Sequence, residues 1–194
     1  MKKLLFFISI LTMLAFTNTF VKSTAVVIDS KSKLVINGKT NVNTFKCEYD
    51  ILKLDKPIPV SFKRINNKIV FNETVLVLGT DCFDCGGIGI NSDFKKLLKS
   101  ETYPEIHIVL KEISTNLGKA EQVTALLDLE ISGVTKTYSI PVTLKDQNNL
   151  VVEGVLNLNI RDFNLEPPKI ALGLIVVKDT ISINFHLKIQ EHLN

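Results

Sequence analysis

The chain has 194 residues, 45% hydrophobic and 22% charged, with 23 Lys and Arg against 20 Asp and Glu. That length fits one domain with a sizeable core. Lys2, Lys3 and Lys22 fall in a leader-like start, so the charges of the remainder balance, which excludes a basic footprint for nucleic acid or anionic lipid.

Met1-Lys2-Lys3 followed by the apolar run Leu4 to Phe16 has the charged start and short oily stretch of a secretory signal. Thr17, Asn18, Thr19 and Lys22 interrupt it, so it is too short to span a bilayer, and no integral span is expected after processing. No Cys follows the run, which disfavours a lipid-anchored form. The expected division is a signal peptide over 1–24, cleaved between Thr19 and Ala25, and one exported domain over 25–194.

The first strands expected are Lys33 to Asn37 and Asn43 to Ile51, the latter alternating Phe45, Cys47 and Tyr49 with Lys46 and Glu48. Pro57 and Pro59 punctuate. Val60 to Arg64 and Lys68 to Leu78 then form a hairpin around Asn66-Asn67, a pair that tolerates left-handed backbone. Thr80 to Asn91 is a loop rich in Gly, but it carries neither the dinucleotide fingerprint nor a P-loop lysine, so nucleotide binding is not indicated. Asn91 or Ser92 can cap one short helix in which Phe94, Leu97 and Leu98 share a face, and Pro104 stops it.

Four long strands follow: Glu105 to Ser114, Lys119 to Ser132, Lys136 to Gln147 and Leu150 to Ile160. The middle two form a hairpin. Ala125, Leu127, Leu129 and Ile131 share one face, and Tyr138, Ile140, Val142 and Leu144 repeat the pattern beyond a turn at Gly133, which can take positive φ. Pro141 cannot donate to a ladder, so its strand should lie partly at an edge or carry a bulge there. Arg161 to Lys169 reads as a loop, and Ile181 to Ile189 as a closing strand. Strands of ten or more residues reach roughly 34 Å, which favours a closed sheet over a sandwich. The fold class expected is all-β: an eight-stranded antiparallel barrel with one short helix, a two-sheet sandwich being the alternative.

The three cysteines suggest one disulfide and one leftover thiol in an exported chain. Cys47 can pair with Cys85 or with Cys82, closing a loop that adds roughly 4 kcal/mol on the chain-entropy model. A redox reading of Cys82-x-x-Cys85 would need a βαβ setting, and a zinc reading two further ligands. Catalysis has little to hold. His107 and His186 alternate with apolar neighbours and should face outward, and His192 sits in the tail. Asp81, Asp84 and Asp93 fall where a turn and a helix start use acidic side chains. No catalytic residue, metal site or cofactor is therefore expected, and the chain reads as a non-enzyme.

Three stretches together resemble the YceI-like family of exported bacterial polyisoprenoid-binding proteins: Phe94 to Ser100 leading to Tyr103-Pro104-Glu105-Ile106, the turn Ile131-Ser132-Gly133-Val134-Thr135-Lys136, and Arg161-Asp162-Phe163-Asn164-Leu165. Two positions depart from the family pattern. Asp84-Cys85-Gly86-Gly87 replaces an Arg-Asp pair before the helix and looks like a cysteine-bearing branch in which Cys47 pairs with Cys85. Asn164 stands where the family has glycine, a tolerable change if the position needs positive φ. The resemblance implies a lipocalin-like barrel, periplasmic or secreted, whose interior holds a long-chain isoprenoid or other apolar lipid. The inward residues expected to line it are Phe45, Phe71, Leu127, Leu129, Ile140, Val142, Leu156, Leu158 and Phe185. Burying a tail of about fifteen carbons contributes on the order of 10 kcal/mol before association costs. The alternative is an exported structural or partner-binding barrel in which those same side chains fill the interior.

Overall fold

A computed structural model describes residues 21–115, 121–145, 150–170 and 174–192. The expected signal peptide therefore lies almost entirely outside the described residues, as do 119–120 and 146–147 of two expected strands. In chain order the strands are β1 (Lys22–Ile28), β2 (Lys33–Lys39), β3 (Thr44–Tyr49), β4 (Ile58–Ile65), β5 (Lys68–Gly79), β6 (Phe83–Asp84) and β7 (Glu105–Thr115). They continue as β8 (Gln122–Ile131), β9 (Val134–Lys145), β10 (Leu150–Asn159), β11 (Lys169–Ile170), β12 (Ile175–Val176) and β13 (Thr180–Glu191). One α-helix, α1 (Ile88–Leu97), lies between β6 and β7.

Eight strands close a ring in the order β1-β4-β5-β7-β8-β9-β10-β13, with β13 returning to β1, and every pairing is antiparallel. The fold is all-β, as the alternation implied. Strand β1 was not expected, because its residues sit against the leader and alternate weakly. It supplies the closing seam, pairing Thr24 with Val60 on one side and Ile28 with Ile189 on the other. The same edge of β13 then passes to β2, where Ile183 faces Ile36. The switch occurs at Asp29–Ser32, where the Ser32 hydroxyl accepts from the Lys188 N–H at 2.9 Å and restores a ladder bond. Beyond it β2, β3 and β6 continue as a flap attached to the ring.

Local chemistry sets the closure. The β8–β9 connection is a two-residue turn with Ser132 at φ 50° and Gly133 at φ 76°, the mirror-image turn whose twist suits a hairpin. Counting alternate pairs from that turn, Pro141 opposite Thr124 falls in a non-hydrogen-bonded pair, so its nitrogen points away from β8. On that side β9 pairs with β10 only from Val142 to Lys145. Pro141 thus stands at the point where β9 becomes an edge, as expected. The strands splay below it, and the 3-10 turn Ile160–Phe163 fills the gap: Phe163 is fully buried and stacks on Tyr138 with ring centroids 6.3 Å apart. A register shift between Val70 and Thr74, with Glu73 at φ 54°, and another between Leu110 and Glu112 coil β5 and β7.

The helix starts at Ile88, earlier than a cap at Asn91 or Ser92 would place it. Asn91 works from inside the first turn instead, its side-chain oxygen accepting from the Cys85 N–H at 2.6 Å and its amide donating to Asp84 at 3.0 Å. At the far end Lys99 takes φ 52°, and Ser100 N–H bonds back to the Lys95 carbonyl at 3.0 Å, a left-handed stop made without glycine. Asn164, at φ 56°, ends the turn before it in the same conformation, which is why glycine and asparagine can exchange there.

Candidate functional site

Helix α1 lies over one end of the ring. A chain of rings anchors it: Tyr49 meets Phe83 edge-on at 4.9 Å, and Phe83 meets Phe94 at 5.3 Å. Beneath Phe94 and Leu97 is an apolar cavity of about 80 Å³, walled by aliphatic and aromatic side chains from β2, β5, β7, β8, β10 and β13. Outside the same two residues runs a groove of about 290 Å³, bounded by β3, α1 and the side chains of Pro168, Ile175 and Val177. Phe45, Phe94 and Leu97 border both spaces. Three side chains therefore separate an open apolar groove from the interior of the barrel.

Phe45 is held by a glycine. Its ring lies over Gly38, and a Cβ there would stand 2.2 Å from the ring. Gly154 receives the Phe185 ring in the same way, with a Cβ position 2.4 Å from it.

A disulfide joins Cys47 to Cys85 and ties β3 to the residues leading into α1, with Cys47 on the groove wall. Cys82 stays a thiol, and it is not activated: burial and the Asp81 carboxylate, which accepts its S–H at 3.3 Å, push its pKa up. A protonated thiol is a weak nucleophile. Nearby, burial above all, with the Cys82 thiol beside it, pushes the Tyr49 hydroxyl up to about 12. Asp84 is held below the usual carboxylate range by the hydrogen bonds from Asn91 and the Gly86 N–H. These groups fasten the helix approach. Among the described residues no three His, Cys, Asp or Glu side chains are grouped to hold a metal. His186 meets Glu153 at 2.8 Å on the outer face, and Lys145 and His186 together lower that carboxyl's pKa.

Of the side chains expected inside, Phe45, Leu129 and Leu158 border the cavity. Ile140, Val142 and Leu156 are buried in the core around it, and Leu127 and Phe185 are half-buried against that core. Phe71 is apart from them. It lies beyond the β5 bulge, toward the end of the ring away from α1, and packs on Phe62 at 6.0 Å. Sequence reading missed Phe83 and Phe163 and gave Phe94 and Leu97 only a helix face, because alternation says nothing of where a helix or a 3-10 turn docks. The charge expectation also needs correcting. Lys39, Lys46 and Lys178 line one polar cleft that meets the groove at Thr44 and Phe45, a local basic patch that a balanced total conceals.

Residues 61–189 match the YceI-like domain, which takes in the hairpin, the helix and the closing strand together. The chain belongs to the YceI-like family. Solved structures agree with this YceI-like fold. Burkholderia cenocepacia BcnA is 21% identical, covering 84% of this chain and 99% of its own, with a TM-score of 0.60. A polyisoprenoid binding domain from Saccharophagus degradans, implicated in plant cell wall breakdown, is 16% identical over 87% of this chain and 99% of its own, at 0.62. The YCEI protein of Campylobacter jejuni is 13% identical over 93% and 89%, at 0.53. No curated protein matches the sequence. Identities this low carry the YceI-like architecture alone.

Proposed function

We propose that this protein is an exported, non-catalytic carrier of a long apolar lipid, with a polyisoprenoid tail as the leading candidate. The observation that carries this reading is the apolar path itself: a groove of about 290 Å³ meeting a cavity of about 80 Å³ at Phe45, Phe94 and Leu97. Membership of the YceI-like family and the likeness to a polyisoprenoid binding domain support the ligand class. The Cys47–Cys85 disulfide supports an oxidising compartment and so removal of the leader over 1–24.

The cavity's size favours a second reading. A cavity of about 150 Å³ admits a benzene ring. One of about 80 Å³ is closer to a packed core, so cargo enters only if the shared side chains turn aside. A barrel filled by its own side chains, serving a structural role, is the competing account.

Organic extraction of the exported protein followed by mass spectrometry separates the two. A carrier releases a stoichiometric apolar lipid and takes up prenyl probes. Absence of both results supports the filled barrel.

A further inference from the structure

The groove opens beside an unusual piece of surface. Val42, at the tip of the β2–β3 turn, is 69% exposed, and Leu174 and Val176 opposite are 76% and 48% exposed. These aliphatics are held in place. Asn41 receives the Val176 N–H on its side-chain oxygen at 3.0 Å, donates its amide to the Leu174 carbonyl at 2.9 Å, and bonds by its own backbone N–H to the Val176 carbonyl at 3.0 Å. An isolated bridge between Thr40 and Val177 completes the clamp. Three aliphatic side chains are thereby presented to solvent on a fixed platform beside the mouth of the groove.

Lysines stand directly behind these tips. Lys39 is three residues from Val42, Lys46 four residues, and Lys178 two residues from Val176, which places each within about 13 Å of its tip, the reach of four residues of strand. The Lys178 N–H bonds to the Lys39 carbonyl at 2.8 Å, and Lys46 lies on the neighbouring strand in the same cleft. None of the three lysines forms an ion pair among the described residues. The carboxylates around them are few: Asp179 is engaged by Arg161 at 2.6 Å, Asp93 lies on the helix side of the groove, and Glu48 is one pleat beyond Lys46.

We propose that this surface, Val42, Leu174 and Val176 in front with Lys39, Lys46 and Lys178 behind, docks the groove mouth on an anionic lipid bilayer. Short aliphatics reach the acyl boundary while cations on long stems remain among the phosphates, the division of labour seen at membrane interfaces. Charge complementarity selects the partner, because unpaired lysines favour a negative headgroup layer over a neutral one. The inference rests on the carrier reading for what crosses the mouth, whereas the docking rests on the surface alone.

The test is co-sedimentation of the processed protein with vesicles of equal parts phosphatidylglycerol and phosphatidylcholine, against phosphatidylcholine alone, at about 0.15 M salt. Binding is expected to the anionic vesicles only. The triple change Lys39→Glu, Lys46→Glu and Lys178→Glu should weaken it at least a hundredfold, taking roughly fivefold per lysine near such a surface. Leu174→Asp should weaken it independently, with prenyl-probe uptake in solution unchanged in both variants. Equal binding to both vesicle types, no binding to either, or variants that bind like the parent overturn the proposal, and so does a Leu174→Asp change that merely converts a dimer to a monomer. Vesicle binding without probe uptake upholds the docking and sinks the carrier reading; uptake without vesicle binding does the reverse.

Discussion

The hydroxyl of Ser132 donates to the main-chain carbonyl of Leu98 at 2.7 Å, both residues buried, and so fastens the β8–β9 turn to the last turn of α1. The helix would otherwise rest on the ring by apolar contacts alone at this corner. Ser132→Ala removes the donor and leaves a buried carbonyl unpaired, so the fold should lose about 1–3 kcal/mol in chemical denaturation. Ser132→Gly should lose less, because glycine relieves the left-handed backbone while forfeiting the same bond. Equal losses in the two variants would show that the turn conformation costs nothing here.

Gly133 beside it makes a sharper test. A Cβ there would lie 2.8 Å from the Tyr103 ring, at a φ of 76° that side chains rarely adopt. Gly133→Ala should therefore cost more than Ser132→Ala. Part of the cost should return in the double variant with Tyr103→Ala, since the ring clash vanishes and the backbone strain remains. A cycle with no coupling would sink this division.

Cys47→Ser with Cys85→Ser opens the tie between β3 and the helix approach. The bridge spans 38 residues, so its loss should lower stability by about 4 kcal/mol on the chain-entropy model. Peptide mapping without reduction should return the Cys47–Cys85 pair and a Cys82 that alkylates slowly at neutral pH, its thiol being held protonated by burial and Asp81. A Cys82–Cys85 pair would overturn the arrangement.

Alkaline behaviour follows from Tyr49. Its folded pKa is raised to about 12 from an unfolded value near 10, so the neutral hydroxyl is the form the fold prefers. The stabilisation is complete below pH 10 and is lost as pH rises toward 12. Absorbance titration should show a late-ionising tyrosine, and Tyr49→Phe should reduce the stability loss in that window, the remainder including Tyr138, whose hydroxyl burial also pushes up.

How far the sequence carried the fold depends on where residues alternate. The β8–β9 hairpin was legible down to its turn because Ala125 to Ile131 and Tyr138 to Leu144 each keep one oily face, and Pro141 announced its own edge. Strand β1 was hidden because Thr24, Ala25, Val26 and Val27 are all half-buried, so neither face alternates, and the strand abuts the oily leader. The helix start was hidden because Gly86, Gly87 and Gly89 read as loop, whereas the helix begins at Ile88 with Gly87 before it and no side-chain cap, and Asn91 ties the approach by bonding backward to Cys85. Phe71 was placed inside by its alternation, but the bulge at Glu73 interrupts that alternation between it and the residues around the cavity. The platform of Val42 and Leu174 was invisible, since it needs two distant turns brought together by one asparagine.

Phe45 is the residue on which the path into the barrel turns. It borders both the groove and the cavity, sits over Gly38, and is only half-buried, so truncating it costs less than the 3–5 kcal/mol typical of a fully buried aromatic. Phe45→Ala should join the two spaces and speed prenyl-probe uptake while lowering stability by roughly 2 kcal/mol. Gly38→Ala should act on the same ring by another means: the added Cβ forces Phe45 off its seat, so the uptake rate should change, and the direction of the change reports whether the displaced ring opens the path or blocks it. If neither variant alters the uptake rate, lipid does not enter between β3 and α1, and the other end of the ring, around Phe62 and Phe71, becomes the route to test.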